Sequence, residues 1–242
     1  GAELDLTGAK DVLFTNNVIT GNNDGAAINV AANGTLKIDG ATFTNNDSHD
    51  GGGYGGAIWN KGSADIKNAA FSNNVAVSGG AVGGSNSSTG LLGIASSEFK
   101  SNTALSDGGA IAAFKSLTIT DSLFKNNTAL YSKDEKGDLV AASSGKNPIG
   151  GGALALGAVS DTAIASISGT TFKENKSGLN GGAIGTRLAK TIGDDWTLDG
   201  GKNANSAKLD IAATFENNYA KRSGGAITDH KQCHRNGGHH QL

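Results

Sequence analysis

Leu92-Gly93-Ile94-Ala95-Ser96-Ser97-Glu98-Phe99-Lys100-Ser101-Asn102-Thr103-Ala104-Leu105-Ser106-Asp107-Gly108-Gly109-Ala110-Ile111 is one unit of a repeat that runs through the chain. Phe-x-x-Asn recurs at Phe14–Asn17, Phe43–Asn46, Phe71–Asn74, Phe99–Asn102, Phe124–Asn127, Phe172–Asn175 and Phe215–Asn218, so seven of the eight phenylalanines belong to it. Alternating with it is a Gly-Gly-Ala-aliphatic motif: Gly55-Gly56-Ala57-Ile58, Gly79-Gly80-Ala81-Val82, Gly108-Gly109-Ala110-Ile111, Gly151-Gly152-Ala153-Leu154, Gly181-Gly182-Ala183-Ile184 and Gly224-Gly225-Ala226-Ile227. Asp24-Gly25-Ala26-Ala27-Ile28 is a degenerate first copy. A repeat on this scale is one structural unit that buries its apolar face only by stacking on its neighbours.

Upstream of the Phe lies a second regularity. Ile38, Ile66, Ile94, Ile119 and Ile167 each precede the Phe by five residues, with Leu36, Ala64, Leu92, Leu117 and Ala165 two residues further back. Inward residues two apart mark a strand with one buried face. The seventh copy, Leu209-Asp210-Ile211, keeps the alternation with one residue deleted before Phe215. Three short apolar segments per unit of about 25–29 residues, with no helical period, predict an all-β chain folded as a right-handed parallel β-helix, a solenoid of about seven rungs with three short strands each. The Phe rings are expected to stack from rung to rung. The Asn, often doubled as at Asn16-Asn17 and Asn126-Asn127, is expected to sit at the turn and pair with the amide above. The Gly pair is expected to supply positive φ and a narrow corner. On this reading the repeated residues are mostly scaffold.

The formal charge of −2 and the lack of a Lys/Arg run exclude nucleic acid binding by counterion release. The single cysteine, Cys233, excludes an internal disulfide. No stretch is apolar enough for a membrane helix. Beginning at Gly1 with no Met, the chain reads as a mature fragment or an excised domain. Residues 1–229 are expected to form the rod and 230–242 an irregular tail, whose Cys233 and His residues match no closed metal module.

Two units are overlong, and insertions in a solenoid map to loops where binding concentrates. The first, about 131–150, is rich in charge and contains Lys136-Gly137-Asp138, a tripeptide of a kind read by some integrins. The second, about 185–207, carries Arg187, Lys190, Asp194, Asp195 and Trp196. It is either a sugar subsite with Trp196 as its stacking surface, or a loop packed on the rod with its charges in water. Trp59 and Tyr54 are the remaining conspicuous aromatics.

Gly-Gly-Ala-Ile alternating with Phe-x-x-Asn from Phe14 to Ile227 resembles the passenger domains of the chlamydial polymorphic membrane proteins, and more broadly pectate-lyase-like bacterial adhesin repeats. The resemblance implies an autotransporter passenger displayed at the bacterial surface or outer membrane, or secreted after processing. It implies adhesion to a host receptor, protein or glycan, with self-association into a homo-oligomer. It implies membrane contact only through a barrel domain outside this chain. No cofactor, metal or catalytic residue is expected. The alternative is a β-helical polysaccharide lyase or hydrolase. Asp194-Asp195 resembles a galacturonase acid pair, but the Gly-His-Gly and Arg-Ile-Lys elements that accompany such a pair are absent.

Overall fold

The computed structural model describes residues 1–21, 23–50, 52–84, 91–113, 116–129, 131–133, 139–141, 149–157, 164–187 and 208–229. Among these the regular structure is all strand, arranged in long parallel sheets stacked as in a β-helix. Each face of the rod is one column of the repeat. On the first face, Glu3–Asp5, Thr35–Asp39, Ser63–Lys67, Leu92–Ala95, Leu117–Thr120 and the leading halves of Ile164–Lys173 and Lys208–Glu216 pair in register. Ile38, Ile66, Ile94, Ile119, Ile167 and Ile211 are therefore direct neighbours. On the second face Val12–Thr15, Ala41–Thr44, Ala70–Ser72, Glu98–Lys100 and Leu123–Lys125 lead into the trailing halves of the same two long strands. The Gly-Gly-Ala strands, from Ile28–Val30 to Ile227–Asp229, make a separate seven-stranded sheet.

The structure adds a fourth column to the three expected. Val75–Ala76, Thr103–Ala104, Thr128–Ala129, Lys176–Ser177 and Tyr219–Ala220 pair directly after the Asn. At two residues each they are too short to leave a periodic signal.

The three longer columns point into one core. Leu36, Ile38, Ile66, Ile111, Leu117 and Ile119 are fully buried, as are the five central phenylalanines Phe43, Phe71, Phe99, Phe124 and Phe172. Successive Phe rings from Phe14 to Phe215 stack at 4.6–5.2 Å between centroids. Burying one such ring contributes about 1.5–3 kcal/mol, and the ladder fills a core that small side chains alone would leave hollow.

Two corners turn the chain. The residue two after each Phe (Asn16, Asn45, Asn73, Ser101, Asn126, Glu174, Asn217) has φ between 52° and 57°. The residue three before it (Asp11, Gly40, Asn68, Ser96, Asp121, Gly169) is also left-handed. This second column varies so much in side chain that the sequence pattern does not reveal it. It also explains the deletion in the seventh copy. The pairing of Ile164–Lys173 with Lys208–Glu216 skips a residue between Ser168 and Thr170, so the deleted position is the corner residue equivalent to Gly169. The first insertion contains an antiparallel hairpin, Tyr131–Lys133 with Leu139–Ala141.

Candidate functional site

The doubled Asn divides its labour. The first residue of the pair adopts the left-handed turn, and the second points inward and builds a ladder. Asn46, Asn74, Asn102, Asn127 and Asn175 are fully buried. In each, Nδ2 donates to the Oδ1 of the next Asn along the rod at 2.9–3.0 Å. The same Nδ2 donates to the carbonyl of a Phe on the preceding rung, as Asn102 does to Phe71 at 3.1 Å and Asn127 to Phe99 at 2.9 Å. Each Oδ1 also accepts the backbone N–H of the Asn before it. Both donors and both lone pairs of the amide are used, which allows so polar a group to sit in the core. Asn17 joins at one end, donating to Asn46 at 2.7 Å, and Asn218 accepts at the other.

A hydroxyl ladder that sequence reading missed runs beside it. Ala69, Ser97 and Ser122 each donate their backbone N–H to the hydroxyl of Ser97, Ser122 and Thr170 respectively, at 3.1–3.4 Å. Only the changing identity of these small residues concealed them.

The two motif glycines also differ. The first of each pair, Gly55, Gly79, Gly108, Gly151, Gly181 and Gly224, has φ between 63° and 78°. The second is required by contact. A Cβ on Gly56, Gly80, Gly109, Gly152 or Gly182 would lie within 2.1 Å of a carbonyl oxygen one rung away. Ala57, Ala110 and Ala183 follow, fully buried with Ile58, Ile111 and Ile184, whereas Gly224, Gly225, Ala226 and Ile227 at the last rung are more open.

Of the insertion residues singled out in the sequence, Arg187 alone is among the described residues. Lys136, Gly137, Asp138, Asp194, Asp195, Trp196 and the 230–242 tail lie outside the described residues. Arg187 ends the strand Ile184–Arg187, where its backbone pairs with Gly157. The first insertion returns to the rod through Asp107, whose Oδ1 accepts the backbone N–H groups of Ile149 at 2.6 Å and Gly150 at 2.9 Å. Among the described residues no group of three or more His, Cys, Asp or Glu is arranged to hold a metal ion. No helix there is long and apolar enough to cross a membrane, which says nothing of a strand-built barrel.

Outward charges pair locally. Lys100, Lys125 and Lys173 stack on successive rungs, but Glu98, Glu174 and Glu216 lie 2.6, 3.6 and 2.8 Å from them, so the row is not an anion track. Hydrogen bonds to Glu3, Asp65 and Glu216 hold Lys37, Lys67 and Lys173 above the ordinary lysine value, and the Thr7 hydroxyl holds Asp5 below the ordinary carboxylate value. A raised lysine contributes stability below its unfolded pKa and loses it as pH rises through the folded value. The depressed Asp5 contributes above its unfolded pKa and loses it as pH falls through the folded value. All four groups are exposed and screened. The melting temperature should therefore be flat from about pH 5 to about pH 9, with shallow declines outside. Circular dichroism melts across pH check this, and a step of several degrees inside that window would contradict it.

Fold and ladders together define a parallel β-helical rod assembled from a Phe-x-x-Asn and Gly-Gly-Ala repeat. The model of the Chlamydia polymorphic membrane protein repeat matches the chain at residues 96–113, 169–187 and 212–228. Each matched segment runs from the Phe corner to the Gly-Gly-Ala strand. The matches support a polymorphic membrane protein of the autotransporter kind. No curated protein and no solved structure gives a significant match.

Proposed function

We propose that this chain is the surface-exposed passenger of an autotransporter and serves as an adhesin for host cells. The observation that carries the reading is the family repeat at three places on a rod whose repeated side chains are consumed by its own interior. Recognition then falls to unrepeated outward residues, on the rod surface or on the 131–150 and 185–207 insertions. In this reading residues 1–229 are the passenger rod and 230–242 an appendage. Membrane attachment comes from a barrel domain outside this chain, with the passenger retained at the surface or released after processing.

The test is attachment of the purified chain to epithelial cells, with competition against bacterial attachment. Replacing 134–138 with a Gly-Ser turn, and separately Asp194, Asp195 and Trp196 with Ala, should locate the determinant. Loss of at least about tenfold in affinity with one variant places it on that insertion, and no loss with either places it on the rod. A chain that neither binds cells nor competes defeats the proposal.

Self-association is a second reading, favoured by one observation. Leu4, Leu13, Val18, Tyr219 and Ile227, five large apolar residues at the two ends of the described rod, are exposed. Unpaired strand edges with apolar side chains are templates for another chain. Light scattering on the purified chain decides this, with concentration-dependent growth expected.

A further inference from the structure

We infer that Tyr54, Trp59, Lys61 and Asn29 form a subsite for an acidic sugar, a pyranose bearing a carboxylate, on the outer face of the Gly-Gly-Ala sheet. The inference rests on the adhesin reading for its biological use only.

The site begins as a break in the repeat. Reading across the sheet in register, the outward position after each Gly-Gly-Ala-aliphatic motif is Asn29, Trp59, Gly83, Ala112, Ala155, Gly185 and Thr228. The rod is content with Gly or Ala here, so its own packing does not call for an indole. The Trp59 ring lies against the backbone of Gly83, where an added Cβ would come within 2.8 Å of ring carbon Cε3. Tyr54 stacks on Trp59 with centroids 5.5 Å apart and planes 28° apart. Trp59 is only 7% exposed, whereas Tyr54 is 39% exposed, so the buried ring supports an accessible one. The backbone of Tyr54 is held on both sides, donating to Asp24 Oδ1 at 2.9 Å and accepting from the Gly25 N–H at 3.0 Å.

An accessible, pre-positioned aromatic ring matches the apolar C–H face of a pyranose, whose polarised hydrogens meet the negative face of the ring. Two features select the sugar further. The Trp59 indole N–H is enclosed and has no acceptor among the described residues, an unmet donor beneath the Tyr54 ring that a ligand hydroxyl would reach only by a small shift of that ring. Lys61 places its Nζ 5.9 Å from the Trp59 centroid. Unlike Lys37, Lys67, Lys100, Lys125 and Lys173, it has no carboxylate partner among the described residues. A cation left unpaired beside an aromatic pair favours a ligand with its own anion. Asn29, exposed and in register with Trp59, adds amide hydrogen bonding at the rim.

The test uses the full chain with Trp196→Phe, so that Trp59 alone reports by fluorescence. 3′-Sialyllactose and a hyaluronan tetrasaccharide supply the two kinds of acidic sugar, lactose the neutral control, and a Glu-rich peptide an anion without a pyranose. Quenching by at least one acidic sugar is expected, with lactose and the peptide at least about tenfold weaker. Lys61→Gln, a change at a half-buried surface position that should leave the melting temperature in place, should erase the preference for the acidic sugar over lactose. Tyr54→Ala should remove the response to both. No quenching by either acidic sugar, equal affinity for lactose or the peptide, or an unchanged titration in Lys61→Gln overturns the inference. If the acidic sugar binds as expected while the chain attaches to no cells, the subsite stands and the adhesin reading alone falls.

Discussion

Gly109→Ala is expected to cost about 4 kcal/mol or more, in the exceptional range for a single substitution. Strain in φ is not the reason, since Gly108 is the left-handed member of the pair. The reason is distance. A Cβ at Gly109 would lie 2.0 Å from the carbonyl oxygen of Gly152 and 2.5 Å from the backbone nitrogen of Thr128. Neither atom can rotate away. Relief requires the rungs to separate, at the expense of the Gly109–Gly151 and Ala110–Ala153 hydrogen bonds at 3.2 and 2.9 Å. Gly93→Ala is the internal control. It lies outward on its strand, and its Cβ would meet nothing nearer than Asp65 Oδ1 at 3.5 Å. That change should be neutral or stabilise by up to about 1 kcal/mol, because it removes chain freedom from the unfolded state. Urea denaturation of both variants decides the matter, and equal midpoints would sink the close-packing explanation.

Asn102→Ala is expected to destabilise by about 3–5 kcal/mol, because it leaves buried polar groups without partners. Losing Oδ1 strands the backbone N–H and the Nδ2 of Asn74, and losing Nδ2 removes a donor from Phe71 O and from Asn127 Oδ1. The neighbouring column provides the contrast. Asn126 is exposed and sits in the left-handed region with φ 56°. Asn126→Gly should shift stability by less than about 0.5 kcal/mol, since Gly adopts that geometry at no steric cost. Two adjacent columns of the same residue type would then differ several-fold in their effect. A loss at Asn102 no larger than at Asn126 would mean that the amide ladder contributes little.

The columns made of large or chemically distinctive residues are legible in the sequence alone. Phe99, Ile94 and Leu92 announce themselves because a buried ring or branched chain has few substitutes, and Asn102 because only a primary amide both donates twice and accepts twice in line. The columns defined by backbone shape were not legible. Asp11, Gly40, Asn68, Ser96, Asp121 and Gly169 share a φ and nothing else. Ser97, Ser122 and Thr170 look like ordinary polar residues until they are stacked. The Tyr54–Trp59 pair was visible as two unusual letters, but their contact depends on the chain excursion between them and on a glycine one rung away. Register turns such scattered letters into a surface.

The parallel, in-register stacking has a mechanical consequence. The hydrogen bonds that join rungs run along the rod and are evenly spaced. Tension applied between its two ends loads those bonds from the outermost rung inward, a few at a time, rather than shearing a whole sheet at once. Each repeat of about 28 residues that peels away releases roughly 90 Å of extended chain. Under a steady pull the molecule therefore lengthens in discrete steps, each absorbing work while the remaining rungs stay folded. A rod of this kind behaves as a shock absorber whose travel is set by how many copies of the repeat it carries.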